Sequence, residues 1–316
     1  MVKLPAINLL FTATTCAALL FLTGCASAAN QCEETPGLSL QILGSGGPVA
    51  DDGRASSAYV VWVDGKSKVL VDAGGGAFLR FREAGASFDD LEHIAISHFH
   101  TDHSADLVAL LKSGFFSSRT RPLSISGPDA GGPFPGLANY LESSIGTNSS
   151  YGYLSGYLDG SGGLVQLQQV TLDPASRNSM PVIGDNNSKI QIEATSVPHG
   201  IVPAIAYRVR VGDKVLVFAS DQNGNDEGFI EFARDADVLV MHMVVPEDIS
   251  GAGRSLHAPP GRIGQIAEAS NARVLVLSHF MARSLQDFDT NMDIVQSRYS
   301  GEVIAAEDLL CFEVGE

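Results

Sequence analysis

The run Ser97-His98-Phe99-His100-Thr101-Asp102-His103 decides how the rest of the chain is read. It follows Glu92 to Ser97, an apolar stretch with the pattern of a strand. It precedes Ala105 to Lys112, where Leu107, Leu110 and Leu111 share one helical face. Three imidazoles and a carboxylate between residues 98 and 103 are hard to account for as a solvated loop. In extended backbone successive side chains alternate, so His98, His100 and Asp102 project to one side while His103 enters the following turn. Neutral imidazole nitrogen and carboxylate oxygen both suit zinc, and this spacing lets one short loop serve two adjacent ions.

Outward from the run, the chain alternates short apolar strands with helices. Before it, Leu38 to Leu43, Ala58 to Val63 and Lys68 to Asp72 read as strands, with Asp64-Gly65 as a hairpin turn, and Ala77 to Glu83 as a helix stopped at Gly85. After it, Lys189 to Val197, Ile205 to Val211, Val215 to Ala219, Val238 to Met243 and Arg273 to Ser278 read as strands. Helices fall near Glu227 to Arg234, after Pro260 and near Asp289 to Tyr299, and two final strands pass through Val303 and Phe312. Each half passes from strands into strand-helix alternation, which predicts an α/β domain over residues 38–316 made of two sheets packed face to face with helices outside. Between the halves, residues 113–181 are rich in Gly, Ser, Asn and Pro yet carry Tyr140, Tyr151, Tyr153 and Tyr157. They read as an insertion, either a lid-like pocket wall or the satellite core of a small subdomain.

Composition bounds the class. With 45% hydrophobic and 18% charged residues and a mean hydropathy of +0.12, the 316-residue chain buries a sizeable core. Lys and Arg number 20 against 36 Asp and Glu, a net charge of -16. Such a field repels phosphate backbones, so no nucleic-acid polymer is expected as a partner.

Residues 1–24 read as an export leader, with Lys3 and the amino terminus as a cationic start and Ile7 to Leu22 apolar and uncharged. Leu22-Thr23-Gly24-Cys25 resembles a bacterial lipobox, with Cys25 as the lipidated residue and 25–37 as a tether to the membrane. Ala26-Ser27-Ala28 offers a competing cut before Ala29. Lipidation implies an outer-membrane protein facing the periplasm, since Ala26 lacks the retention charge of an Asp, whereas the competing cut implies plain secretion. With Cys16 in the leader and Cys25 at the lipid site, only Cys32 and Cys311 remain. In an oxidising compartment they form a disulfide tying the ends of the fold, and otherwise they are two buried thiols.

The histidine run resembles the His-x-His-x-Asp-His signature that the metallo-β-lactamase fold superfamily carries at a strand end. The resemblance spans nearly the whole chain from Leu38 onward and implies an αββα sandwich with metals at one edge. It also implies three further ligands: His199 in Val197-Pro198-His199-Gly200, Asp221 in Ala219-Ser220-Asp221, and His279 in Leu277-Ser278-His279-Phe280. On that reading His98, His100 and His199 hold one divalent ion, Asp102, His103 and His279 hold a second, and Asp221 bridges them. Zinc is the expected metal, with manganese and iron left open.

Gly44-Ser45-Gly46-Gly47-Pro48 followed by Arg54-Ala55-Ser56-Ser57 resembles the opening of the ribonuclease Z and arylsulfatase-like branch. No nucleotide loop fits there, because no Gly-Lys-Ser/Thr follows. His257 in Leu256-His257-Ala258-Pro259 matches the histidine that this branch places beside the leaving group, with a surface loop position as its alternative. Departures also count. Residues 199 and 221 are too close in sequence for the RNA-gripping arm of bacterial ribonuclease Z enzymes. Ser220-Asp221-Gln222 replaces the usual Gly-Asp-Thr, and Met243 stands where the branch often has Glu. His93 and His242 read as structural or as supports for the ligands.

The function expected is an exported hydrolase of small anionic esters, a phosphodiester first and an aryl sulfate second, with Asp102 handling the proton of the attacking water and His257 acting as the acid. A lactonase, and a non-catalytic metal-dependent binding lipoprotein, are the alternatives. Self-association is left open.

Overall fold

Leu38–Gly44 (β1) and Ala58–Val63 (β2) are buried at every position, which requires cover on both faces of their sheet. Alternation sorts their side chains. Tyr59, Val61 and Val63 of β2 join the core between the sheets, while Ala58, Val60 and Trp62 join a second core under the helices. The computed structural model describes residues 31–185 and 187–315. The leader at 1–24, the lipobox Cys25 and the alternative cut after Ala28 therefore lie outside the described residues. Among the described residues no helix is long and apolar enough to cross a membrane.

The chain opens with a short helix α1 (Gln31–Glu34) and continues through β1, β2 and β3 (Lys66–Val71), then α2 (Ala77–Glu83), β4 (His93–Ala95), α3 (Thr101–Ser104), α4 (Leu107–Gly114) and β5 (Leu123–Pro128). Helices α5 (Leu137–Ile145) and α6 (Gly156–Asp159) lead to β6 (Leu167–Leu172) and β7 (Met180–Ile183). The second half runs β8 (Ile190–His199), β9 (Val202–Val211), β10 (Lys214–Phe218), α7 (Glu227–Phe232), β11 (Val238–His242), α8 (Gly251–Leu256), α9 (Pro260–Ala269) and β12 (Val274–Ser278). It closes with α10 (Ala282–Leu285), α11 (Phe288–Gln296), β13 (Glu302–Ala305) and β14 (Cys311–Glu313).

Two seven-stranded sheets result, ordered β14-β1-β2-β3-β4-β5-β6 and β13-β12-β11-β10-β9-β8-β7. Each passes from antiparallel hairpins, β1-β2-β3 and β8-β9-β10, to parallel strands. The αββα expectation holds. Parallel strands in one sheet point the same way, so the loops after β3 and β4 gather at one edge, as do those after β10, β11 and β12.

The insertion at 113–181 needs correction. Strands β5 and β6 complete the first sheet and β7 pairs with β8, so most of the segment belongs to the fold. Tyr157 is buried, its hydroxyl donating to the Leu111 carbonyl at 2.8 Å, and Tyr140 stacks on Phe99. The Gly-, Ser- and Pro-rich composition around them hid these strands, although Leu123 to Ser126 alternates apolar and polar residues and β6 carries Gln168, Gln169 and Thr171. The tether also ends earlier than expected. Cys32 is buried, joins the core under the helices and is disulfide-bonded to Cys311 with a Cα separation of 5.8 Å. His93 is structural: its two ring nitrogens lie 3.0 and 2.8 Å from the Ser124 and Ser126 hydroxyls on the neighbouring strand.

Candidate metal centre

Strand ends place every expected ligand at one edge. His98 and His100 occupy the loop after β4, and Asp102 and His103 lie on α3, so the extended alternation expected through Asp102 ends at His100. His199 ends β8, Asp221 follows β10, and His279 follows β12. His98, His100 and His199 present nitrogen atoms that all lie within 4.8 Å of one another, and so do the ligand atoms of Asp102, His103 and His279. Asp221 stands between the sets: its Oδ2 is 3.6 Å from His199 Nε2 and 3.8 Å from His103 Nε2, and its Oδ1 is 3.5 Å from His279 Nε2. The sequence-expected ligands are thus brought together.

Whether this donor set fits metal ions is tested by its own hydrogen bonds. The outer nitrogens of two rings are held by protein: His103 Nδ1 lies 2.7 Å from Asp72 Oδ2, and His199 Nδ1 donates to the Leu256 carbonyl at 3.0 Å. The inner nitrogens face one another instead, with 3.1 Å between His103 Nε2 and His279 Nε2. His199 Nε2 is buried with no hydrogen-bond partner, an arrangement that costs stability unless a cation takes the lone pair. Imidazoles oriented from behind by carboxylate or carbonyl are the usual form of metal-ligating histidine. The residues fit divalent cations.

The electrostatics agree. Burial and the neighbouring His103 keep His98 well below the ordinary imidazole range, so it offers a lone pair at neutral pH. Burial opposes a charge on His103, but the adjacent Asp72 outweighs it and raises the ring to about 9, so a cation bound there would have to displace a proton. Burial likewise opposes ionisation of Asp102, and the hydrogen bond and charge from His279 and His103 still hold its carboxyl down at about 2. Asp221 is also held well below the carboxylate range against its burial, by the charge of His279 and by His242 Nδ1 at 2.6 Å. Both carboxylates are anionic at neutral pH.

Backbone strain concentrates here. Asp72, Ser220 and His279 take left-handed φ values of 59°, 59° and 56°. The glycine-rich opening explains how the His279 loop is fixed: a Cβ at Gly47 would come within 2.8 Å of the His279 ring, and Gly47 N donates to the Phe280 carbonyl at 3.0 Å. A side chain on Gly74 would collide with the carbonyl of Asp102. Glycine at both positions lets three loops meet.

Three residues that sequence reasoning left unassigned, or only loosely assigned, serve the site. Asp72 accepts from the Ser97 backbone N–H at 2.7 Å and its hydroxyl at 2.8 Å, besides holding His103. Its signal was a buried-strand end, Val69-Leu70-Val71, running into a carboxylate and three glycines. His242 orients Asp221, and its other nitrogen lies 3.1 Å from the Tyr59 hydroxyl, which donates to Ser278. Arg283 is exposed at the rim of the ligand cluster, with its Nε donating to the Val244 carbonyl.

A cavity of about 470 Å³ opens over the cluster, bounded by His100, Asp102, His257, Leu256, Met281 and Arg283 among others. None of the four insertion tyrosines lines it, so the expected tyrosine lid over the substrate is not found. His257 does line it, with Nδ1 buried, unpartnered and 3.9 Å from Asp221 Oδ2. Burial pulls this imidazole down to about 3, so the expected imidazolium is not its resting form.

An αββα sandwich carrying two His/Asp sets at its strand ends defines a hydrolase of the metallo-β-lactamase fold. Comparison with known proteins agrees: a family model described as a beta-lactamase superfamily domain matches residues 67–280, and the chain belongs to that superfamily. The ribonuclease Z of Methanosarcina mazei is 26% identical over 305 residues, covering 88% of this chain and 98% of that protein. The human tRNase Z short form superposes with a TM-score of 0.67 at 20% identity over 88% of this chain and all of the other. Zinc-bound PqqB of Methylobacterium extorquens superposes with a TM-score of 0.62 at 14% identity, covering 87% of this chain and 99% of that one. The first two of these likenesses place the chain in the ribonuclease Z branch. They also overturn the exclusion of nucleic-acid polymers as partners, since enzymes named for RNA cleavage match along almost the whole chain. The net charge of -16 is a sum over the surface, whereas a phosphate meets the local field of the site.

Proposed function

We propose that this chain is a metal-dependent phosphodiesterase working with two divalent cations, zinc in the first place. The observation that carries the reading is the pair of ligand sets joined by Asp221 beneath a cavity that also presents His257 and Arg283. Cations held there supply Lewis acidity toward the substrate's oxygens and an activated water near neutral pH. The chain's own residues do the rest. Asp102, anionic and at the cavity floor, orients the attacking water and accepts its proton. Arg283 adds a fixed positive charge on the cavity wall for a non-bridging oxygen. His257 enters neutral, and an anionic diester beside it is the charge that favours its protonation, after which it donates to the leaving oxygen. Relatives named for cleavage of RNA favour phosphodiesters over aryl sulfates.

The purified protein is expected to contain close to two metals per chain and to hydrolyse bis(4-nitrophenyl) phosphate, cyclic or short nucleotide diesters, or an RNA precursor, ahead of aryl sulfates and lactones. Preference for lactones, or inactivity of the metal-loaded protein on every ester class, overturns the reading. His257→Ala should keep both metals and most of its rate on nitrophenyl diesters. On diesters with poor leaving groups it should lose about 10²–10⁴-fold.

Export and lipidation at Cys25 belong to the same proposal. The leader pattern of residues 1–24 supports it, as does the Cys32–Cys311 disulfide, a bond that persists in oxidising compartments. A mature amino terminus whose mass shows an acylated Cys25 is the expected result. A free Ala29 would show secretion instead.

A further inference from the structure

We infer that the face built from α2, the C-terminal end of α4 and the Tyr151–Tyr153 turn seats on the surface of a phospholipid bilayer. This deepens the anchoring proposed above and applies to an exported chain tethered through Cys25.

The face is apolar where a soluble surface is ordinarily mixed. Phe116 is 76% exposed, Leu79 64% and Tyr153 58%, with Phe78, Phe115 and Tyr151 also open to solvent. Four of them are joined: Phe78 and Phe116 border one groove between α2 and α4, and the Lys112 ammonium lies 4.1, 4.6 and 4.8 Å from the ring centres of Phe115, Phe116 and Tyr153, while Leu79 and Tyr151 adjoin Phe78 and the Tyr153 turn in sequence. Scattered single apolar residues need no explanation, but a joined patch of this kind does. Aromatic rings with a long-stemmed lysine among them suit the headgroup boundary, where the rings enter the acyl region and the ammonium stays with the phosphates.

The chain itself says which surface lies nearby. Glu33 packs against Gly85, and the next two residues, Ala86 and Ser87, border the same groove. Six residues lie between Cys25 and the disulfide-fixed Cys32, seven steps of chain with a reach of at most about 25 Å. An acyl chain on Cys25 would therefore hold a bilayer close to this face. Docking there leaves the chemistry free, because no residue bordering the metal cavity belongs to the patch. Arg82 and Asp89 face the groove together, and Asp89 accepts from the Ser118 hydroxyl at 2.9 Å, so apolar insertion rather than charge holds the contact.

The test uses unlipidated C25S protein of mature length, residues 25–316 without the apolar leader, so that it stands or falls separately from lipidation of Cys25. C25S should sediment with phosphatidylcholine vesicles, whose zwitterionic surface leaves apolar insertion as the driving force. Adding Leu79→Ser and Phe116→Ser should weaken partitioning at least about tenfold without changing the melting temperature, since both side chains are exposed. As a second readout, the emission of F116W should shift to the blue on vesicle addition. C25S that stays in the supernatant with excess lipid, or a double variant that binds equally, overturns the inference. A concentration-dependent dimer abolished by the same substitutions, with no vesicle binding, overturns it in favour of a second copy of the chain.

Discussion

The two sheets deliver ligands to the same edge by different means. The first supplies His98, His100, Asp102 and His103 from one short segment, the loop after β4 and the helix α3, so their mutual positions follow from local backbone. The second supplies His199, Asp221, His242 and His279 from the ends of four strands, and their convergence depends on strand order and register across β8 to β12. Half of the site is thus specified locally and half only once the fold has formed. Asp221 is the joint, touching ligands from both halves.

The largest effect should come from breaking that joint. Asp221→Ala removes the carboxylate shared by both ligand sets, worth several kcal/mol of charge stabilisation, so hydrolysis should fall about 10²–10⁴-fold. Elemental analysis should show fewer metals per chain. A variant with full metal content and near-normal rate would mean that the halves are independent sites.

A buried imidazole outside the site comes next. Burial holds His93 at about 3 in the folded chain against about 6.5 unfolded. Its neutral form therefore contributes stability above pH 6.5 that is lost as pH falls toward 3, at about 1.4 kcal/mol per unit. His242 and His257 titrate in the same window, so the readout is the difference between wild type and His93→Gln in urea unfolding at pH 7 and about pH 4.5. A variant as acid-sensitive as wild type would exclude His93 as a contributor.

Asp72→Asn and His242→Gln compare the supports behind each half. Each should weaken metal binding about 10–100-fold in competitive chelator titrations. A negligible loss for Asp72→Asn beside a large one for His242→Gln would sharpen the contrast, showing that the histidine loop holds its own geometry.

The smallest effect concerns Ser220, left-handed at φ 59° with a buried hydroxyl that has no partner. Ser220→Gly relieves both and should add about 1 kcal/mol, seen as a higher melting temperature. A lower one would show that the hydroxyl has a use in the loop.

Legibility in the sequence follows the same division. The histidine run could be read directly, because imidazoles that close together have few uses besides metal binding. His199, Asp221 and His279 each look like an ordinary strand-end residue and were assigned only through family order. Asp72 escaped notice because an aspartate before glycines is what any turn contains. Strands β5 and β6 were hidden by the Gly-, Ser- and Pro-rich segment around them; Ser124 and Ser126 of β5 pair His93, and β6 carries the polar Gln168, Gln169 and Thr171. Nucleic acid was set aside on a whole-chain charge that says little about the field at one edge.

The Cys32–Cys311 bridge spans 279 positions and joins segments that already meet where β1 pairs with β14. Topologically the folded chain is a closed ring with two short tails. Tension applied between a membrane tether and the far terminus would run through one covalent crosslink and bypass both sheets. A single protease cut in an exposed loop would open the ring but release neither half. New ends could be placed at the exposed turn before Lys189, with the old ones joined by a short linker, and every strand would keep its neighbours.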